Sequence, residues 1–190
     1  MKIKTKGTAK IQDDGSMLLT DGLQQTGRVT VAEKVSISKK PWRLSASVTM
    51  SDNQGLSDSD GKGGDGIWFE FNEKTFSIGL DTFYNDYNDS GNEVNLFLEG
   101  QIIAKEHCPV KLNSGETIKV DIVCIPSPRT MIVVAINEKP VLMHALKTTT
   151  LADVFPNGAE FSVFAFTGEA GSKQVVHEVE LKNISIKAKL

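Results

Sequence analysis

The segment with the richest ligand chemistry runs from Asp81 to Glu93 and reads DTFYNDYNDSGNE. It follows directly on an apolar alternation that ends at Leu80, so a predicted strand delivers its last carboxylate into a loop rich in Asp and Asn. A calcium ion takes about six to eight oxygen ligands from carboxylates, amide carbonyls and backbone carbonyls. The composition of this segment therefore favours a calcium site at a strand end.

The predicted calcium ligands are four oxygen donors of this segment: Asp81, the backbone carbonyl of Phe83, Asn85 and Asp89. Asp86 and Glu93 are substitutes if the loop folds differently. The alternative is a plain hairpin turn with solvated side chains, because Asn, Asp and Gly are also the commonest turn residues. The second acidic loop, around Asp58, is a weaker candidate because Lys62 stands where an EF-hand loop needs an oxygen ligand.

The patterns of the common catalytic centres are missing from the sequence. His107, His144 and His177 show no metal-ligand spacing with one another, and there is no Gly-x-Ser-x-Gly elbow, Walker loop or dinucleotide fingerprint. A glycoside hydrolase needs two carboxylates that flank the scissile bond. The strand that ends at Asp81 offers that one acid, with Ser77 on the same face. We therefore expect the protein not to be an enzyme.

Apolar and polar residues alternate along most of the chain, as in half-buried antiparallel strands. The segment from Arg43 to Met50 shows this pattern clearly, and about a dozen segments repeat it between clusters of turn residues. Residues 130–136 are apolar on both faces, which predicts a central strand, and residues 148–155 predict the one helical turn. Many short strands and no amphipathic helix predict an all-β fold, an antiparallel β-sandwich of the jelly-roll type.

Composition excludes several classes of protein. The chain has 190 residues, a formal net charge of −3 and no basic block, which argues against nucleic-acid binding. No apolar run is long enough to span a bilayer, and the first ten residues lack the apolar core of a signal peptide, so we expect a soluble chain without membrane insertion. Cys108 and Cys124 fit neither a zinc ribbon nor a CxxC pair; we expect two free thiols, with a bond between the two as the alternative.

Four blocks of the sequence resemble, in order, motifs of the L-type lectins, the family of legume lectins and ER–Golgi cargo-receptor lectins. KGTAKIQDDGSMLLTDG resembles the N-terminal strand and turn of that family, and GGDGIWFEF resembles its A-D-G-I/L-A-F-F block. SIGLDTFYND resembles V-x-L-D-T-Y/F-x-N-D, and FSVFAFTGEAGSKQVVHEVELKNISI resembles the closing segment. The resemblance implies a concanavalin-like sandwich formed by residues 1–190 as a single lectin-like domain.

The resemblance also implies a carbohydrate site. Asp81, Asn85 and the carbonyl of Phe83 would hold calcium, and Asn85 would also contact sugar. Asp65 matches the acid that receives sugar hydroxyls, and Phe83 is a candidate for stacking on a pyranose ring, with core packing as the alternative. The loop that would close over the sugar comprises three residues: Gly168, Glu169 and Ala170. Ordered carboxylate and amide groups suit the vicinal hydroxyls of a sugar.

Two departures from the family pattern qualify this implication. Gly79 stands where legume lectins carry the Glu of a second, transition-metal site, which argues against manganese. Asp89 lies one residue short of the legume spacing for the fourth calcium ligand. The leading hypothesis is a calcium-dependent lectin for glycans or glycoproteins of the mannose or glucose type, able to form a homodimer. The alternatives are a protein-interaction or adhesion module with a degenerate sugar site and, third, a glycan-active hydrolase.

Overall fold

A computed structural model describes residues 3–51, 66–82, 91–126, 128–147, 149–167 and 172–182. The predicted all-β class is confirmed, because the described residues form fourteen strands and one four-residue helix. The strands are β1 (Ile3–Gly7), β2 (Lys10–Ile11), β3 (Met17–Gly22), β4 (Thr26–Val35), β5 (Trp42–Met50), β6 (Gly66–Phe71), β7 (Phe76–Asp81), β8 (Glu93–Leu98), β9 (Gln101–His107), β10 (Thr117–Ile125), β11 (Met131–Ile136), β12 (Lys139–Ala145), β13 (Ala159–Phe166) and β14 (Ser172–Lys182). The helix α1 (Leu151–Val154) confirms the predicted helical turn. None of the described helical structure has the length and apolar character needed to cross a membrane.

Two antiparallel sheets of seven strands each form the sandwich. Sheet A has the order β1-β4-β13-β6-β7-β8-β9, and sheet B has the order β12-β11-β10-β5-β14-β3-β2. Many neighbours within a sheet are far apart in sequence, as in the pairing of β13 with β4 and β6. The predicted β-sandwich is therefore confirmed, and its strands place distant segments of the chain side by side.

The core lies between the sheets and follows from the alternation of apolar residues. In β5, for example, Leu44, Ala46, Val48 and Met50 are all buried, while the residues between them face outward. At one side of the core the ring of Phe71 lies 5.3 to 5.8 Å, centroid to centroid, from three other aromatic rings, those of Trp42, Phe76 and Phe161. Such tilted ring pairs add to the stabilisation from burial.

One strand assignment from the sequence needs correction. The apolar run of residues 130–136 predicted a central strand, but β11 lies next to the edge strand β12 of sheet B. Its inner residues Ile132, Val134 and Ile136 are fully buried, whereas Met131 on the outer face is 40% exposed. The apolar character of the outer face therefore reflects an exposed apolar surface and not burial on both sides.

A buried acid on the outer face of sheet B is held by a complete set of partners. Asp121 accepts hydrogen bonds from Ser45 Oγ at 2.6 Å and Arg43 Nε at 3.0 Å, and Lys119 Nζ lies 3.9 Å from its second oxygen. Burial alone would raise the pKa of Asp121, but these hydrogen bonds and positive charges lower it overall. Asp121 is therefore a structural carboxylate.

The two cysteines are free and buried, as predicted. Burial raises the pKa of the Cys108 thiol, and it raises the pKa of Cys124 to about 12. Both residues serve as small apolar groups of the core.

Candidate functional site

Several strands of sheet A begin or end at one level, at the same end of the sheet. Phe166 at the end of β13 pairs with Gly66 at the start of β6, and Gly66 pairs with Asp81 at the end of β7. Asp81 pairs with Glu93 at the start of β8, and Glu93 pairs with His107 at the end of β9. We call these five residues the end row. Chain segments that leave the end row start from neighbouring strands.

The predicted site residues continue from this end row along the chain. Asp65 immediately precedes Gly66, Phe83 follows two residues after Asp81, and Gly168 follows two residues after Phe166. Seven of the predicted site residues lie outside the described part of the chain: Asp65, Phe83, Asn85, Asp89, Gly168, Glu169 and Ala170. The roles assigned to these seven residues stay predictions. Asp81 is the predicted ligand that the structure describes.

Asp81 is a buried carboxylate held by an amide. Its side chain lies on the outer face of sheet A, it is 8% exposed, and its Oδ2 accepts a hydrogen bond of 2.9 Å from Asn95 Nδ2. Asn95 lies two residues beyond Glu93 on β8, at the diagonal position where cross-strand side chains can meet. It is 1% exposed, and its Oδ1 is buried without a hydrogen-bond partner. A buried oxygen without a hydrogen-bond partner lowers the stability of the fold. A bound cation or a donor group of a ligand would offset that loss.

A second carboxylate adjoins Asp81. Glu93 is in register with it on the neighbouring strand, it is 6% exposed, and Lys105 Nζ lies 3.5 Å from its Oε2. Directly opposite carboxylates repel each other, and the Lys105 ammonium compensates part of that negative charge. The expectation of a single acid considered one strand alone, and it missed the acid that the neighbouring strand supplies.

The space above Gly79 is filled by an aromatic ring. A Cβ atom at Gly79 would lie 2.5 Å from Trp68 Nε1 and 2.7 Å from Trp68 Cδ1. Trp68 is the register partner of Gly79 on β6, so its indole covers the strand where Gly79 leaves no side chain. Glycine at position 79, where the sequence resemblance would place a Glu, thus leaves the space that the indole of Trp68 occupies.

Gly66 and Thr167 fix the two other strand ends. Gly66 has a φ of +131°, and a Cβ there would collide with the backbone oxygen of Leu80, so only glycine fits. Thr167 is fully buried, and its backbone and hydroxyl are both bonded to the turn that precedes β4: its N–H donates to Gln25 O at 2.9 Å, and its Oγ1 donates to Gly22 O at 2.8 Å. The segments at 65 and 168 therefore leave from anchored backbone.

The sequence analysis did not identify Asn95 as a neighbour of Asp81 or His107 as a neighbour of Glu93. The signal that could have found them is strand pairing, since both follow once the registers of β7, β8 and β9 are known. Among the residues that the structure describes, no three His, Cys, Asp or Glu side chains are grouped to hold a metal ion. A calcium site here needs the predicted ligands of residues 83–89 as well.

Comparison with protein-family models and with curated protein sequences gave no match. Solved structures match over nearly the whole chain. The Lotus tetragonolobus seed lectin superposes with a TM-score of 0.76 at 15% identity, covering 98% of this chain and 94% of that chain. The exoplasmic/lumenal domain of VIP36 in its Ca2+/Man3GlcNAc-bound form gives 0.73 at 14% identity, covering 98% and 86%. The metal-free carbohydrate recognition domain of Emp46p gives 0.70 at 12% identity, covering 94% and 87%.

The chain has the L-type lectin fold. The resemblance of the four sequence blocks is thereby confirmed at the level of the fold, including the concanavalin-like sandwich. In this L-type lectin fold the end row joins three segments that the sequence assigns to one site. Function is a property of that site and not of the fold, because one sandwich can host several activities.

Proposed function

We propose that this chain is a calcium-dependent lectin domain, residues 1–190, that binds glycans of the mannose or glucose type. The observation that carries the proposal is the end row, from which the chain continues into Asp65, into residues 83–89 and into residues 168–170. Structures of the same fold include a VIP36 domain in a Ca2+/Man3GlcNAc-bound form. The chemistry that this arrangement supports is recognition of sugar hydroxyls by oriented carboxylate and amide groups.

Three side chains among the described residues support a calcium ion as part of its ligand set. Asp81 contributes a buried carboxylate, Glu93 adjoins it, and Asn95 Oδ1 is a buried oxygen that lacks a partner. All three supply the hard oxygen donors that Ca2+ prefers. With the carbonyl of Phe83 and the side chain of Asn85, Asp81 would hold the ion, and Asp89 or Glu93 would complete the set.

We propose no second, transition-metal site. Such a site would need a carboxylate in place of Gly79, and the indole of Trp68 occupies the space into which that side chain would grow. When bound, calcium would neutralise the acids and fix Asn85 toward the sugar. Asp65 and the backbone of Gly168, Glu169 and Ala170 would then receive the sugar hydroxyls.

The first experiment is thermal unfolding in EDTA and then in millimolar calcium, followed by glycan-array binding under both conditions. A ligand present at about 100 times its Kd stabilises the native state by about 2.7 kcal/mol, which for a chain of this size raises Tm by about 5–10 °C. Asp81→Asn should abolish the shift and the glycan binding. Asp121→Asn, which removes a buried carboxylate on sheet B, should retain both.

Two results would contradict the proposal. Glycan binding that persists in EDTA would refute the calcium dependence, and the absence of binding to every glycan would refute the lectin function. We also propose that the protein does not turn over glycans, although Glu93 gives Asp81 a carboxylate neighbour. Mass spectrometry of Man3GlcNAc after prolonged incubation checks this, and any shorter product would favour the hydrolase.

A protein-interaction module is the second candidate, and exposed apolar side chains favour it. They lie on the outer face of sheet B, on β10, β11 and the edge strand β12: Val123, Ile125, Met131 and Met143. Such patches on soluble proteins mark contact sites. The partner we name is a second copy of this chain, because Met143 lies on the edge strand itself. Sedimentation velocity should then show a dimer that Met143→Lys dissociates, in calcium and in EDTA alike, and a monomer at all concentrations would exclude it.

A further inference from the structure

The outer face of sheet A carries a second pocket below the end row. It has a volume of about 290 Å³ and is lined by residues of four strands and two turns: Trp68, Glu70, Lys74, Ser77, Phe97, Gly100 and Phe164. Ser77 lies four residues before Asp81 on the same face of β7, which places it about 13 Å from the end row at about 3.3 Å per residue. Asp81, the predicted calcium ligand among the described residues, is not one of the lining residues.

The pocket combines aromatic rings with polar groups that lack partners. Trp68 and Phe164 form a tilted ring pair with centroids 5.8 Å apart, and both rings are partly exposed, as is Phe97. Ser77 is 3% exposed, yet its hydroxyl forms no hydrogen bond with a described residue, and the same holds for the indole N–H of Trp68. The Ser77 hydroxyl and the Trp68 N–H at the pocket wall are therefore available to bond a ligand.

Glu70, one of the lining residues, belongs to a charged pair with Arg28. Arg28 Nη1 is paired with Glu70 Oε2 and donates to Ser162 Oγ at 2.9 Å, and its guanidinium lies 4.8 Å from the centroid of the Phe164 ring. Glu70 is 3% exposed. Arg28 balances this carboxylate, and the exposed Lys74 is the other charged lining residue. Ring faces beside hydroxyl, carboxylate and N–H groups match a neutral polyol with one apolar face, which describes a pyranose.

The other described pocket lacks this combination. It has a volume of about 340 Å³ on the outer face of sheet B and is lined by Arg43, Ser45, Ala46, Ser47, Lys119, Glu178 and Glu180. It has no aromatic ring on which a sugar could stack. The pairing of rings with unpartnered polar groups is therefore a property of the pocket on sheet A.

We infer that this pocket, built on Trp68, Ser77 and Phe97, is a second saccharide subsite that holds a further sugar of the glycan bound at the end row. The inference rests on the proposed lectin function and deepens it. One pyranose at the end row cannot also fill a pocket about 13 Å away, so the protein selects oligosaccharides over monosaccharides. A glycan of several sugars can reach both places.

Calorimetric titration with methyl α-mannoside and with Man3GlcNAc tests this in the calcium-loaded protein. Trp68→Ala should weaken Man3GlcNAc binding about tenfold, because a ring contact and its buried surface are lost. Ser77→Ala removes one hydrogen bond with little change in packing and should weaken it about threefold to tenfold. Both variants should bind methyl α-mannoside as the wild type does, and Met143→Ala on sheet B should leave both affinities unchanged.

Acrylamide quenching of tryptophan fluorescence gives an independent readout. Trp42 is 1% exposed and Trp68 is partly exposed, so acrylamide reports mainly on Trp68. Man3GlcNAc should reduce the quenching, whereas methyl α-mannoside should not. If Man3GlcNAc binds but neither quenching nor the variants' affinities change, the subsite is refuted and the lectin function stands. If no glycan binds the wild type, the lectin function and the subsite are refuted together.

Discussion

Replacing Gly79 with alanine would place a methyl group against the indole of Trp68, at 2.5 Å from Nε1 and 2.7 Å from Cδ1. Side-chain atoms do not approach this closely, so the ring has to move. The backbone itself is no obstacle, because Gly79 is not among the residues with positive φ. Any loss of stability in Gly79→Ala would therefore come from the ring.

The magnitude follows from two opposing effects. Overpacking of this kind costs about 1–3 kcal/mol. Without the ring, Gly→Ala at a compatible position stabilises by about 0.4–1 kcal/mol, since it restricts the unfolded chain. Gly79→Ala should therefore destabilise the wild type by about 1–3 kcal/mol and stabilise Trp68→Ala slightly, which gives a coupling energy of about 1.5–4 kcal/mol between the two positions.

Urea unfolding of the wild type, the two single variants and the double variant, followed by far-UV circular dichroism, measures this coupling. The m-values should agree, so that the midpoints report free energies. Equal effects of Gly79→Ala in both backgrounds would refute the placement of the indole over Gly79. That result would also remove the steric argument against a second metal site, which depends on the indole of Trp68 occupying the space above Gly79.

Three further predictions concern the core and the buried titratable groups. Phe71→Ala should lower the free energy of unfolding by about 3–5 kcal/mol, measured in urea, because its ring contacts three others; a loss below 1 kcal/mol would contradict this packing. The pKa of Asp121 is lowered in the folded state, so its contribution is present above the unfolded pKa and disappears as pH falls through the folded value. Asp121→Asn should thus cost about 1–3 kcal/mol near neutral pH and less under acid, measured by denaturation at several pH values; a cost that stays constant with pH would contradict this. Cys108 and Cys124 should react with a disulfide reagent only after unfolding, because burial raises the pKa of both thiols.

The fold could be predicted because burial of one sheet face dictates a period of two. The alternation in β5 and β10 correctly predicted both strands and their inward residues. The same rule failed for β11, since apolar residues on an outer face look identical in sequence whether another layer covers them or not. Distinguishing the two cases requires the position of the strand in the sheet, which local pattern does not contain.

The position of His107 opposite Glu93 could not be predicted for a related reason. The turn at Glu99 and Gly100, both with positive φ, sets Leu98 opposite Gln101. Counting back from that pair would place Glu93 opposite residue 106, but an irregularity at Leu96/Phe97 shifts the register by one. One extra residue exchanges the residues that face inward with those that face outward. It therefore decides whether His107 or its neighbour in sequence lies opposite Glu93 in the end row.

The two buried acids of the outer faces differ in how completely their surroundings are satisfied, and the difference separates structure from function. Around Asp121, the serine, the arginine and the lysine account for both carboxylate oxygens, so folding alone explains the cluster. Around Asp81, the amide that supports it leaves its own oxygen Asn95 Oδ1 buried without a partner. Such a cost persists where something outside the described fold offsets it. Because Asp81 and Asn95 lie at the end of sheet A from which the predicted ligands continue, we assign that missing partner to the proposed calcium and glycan site.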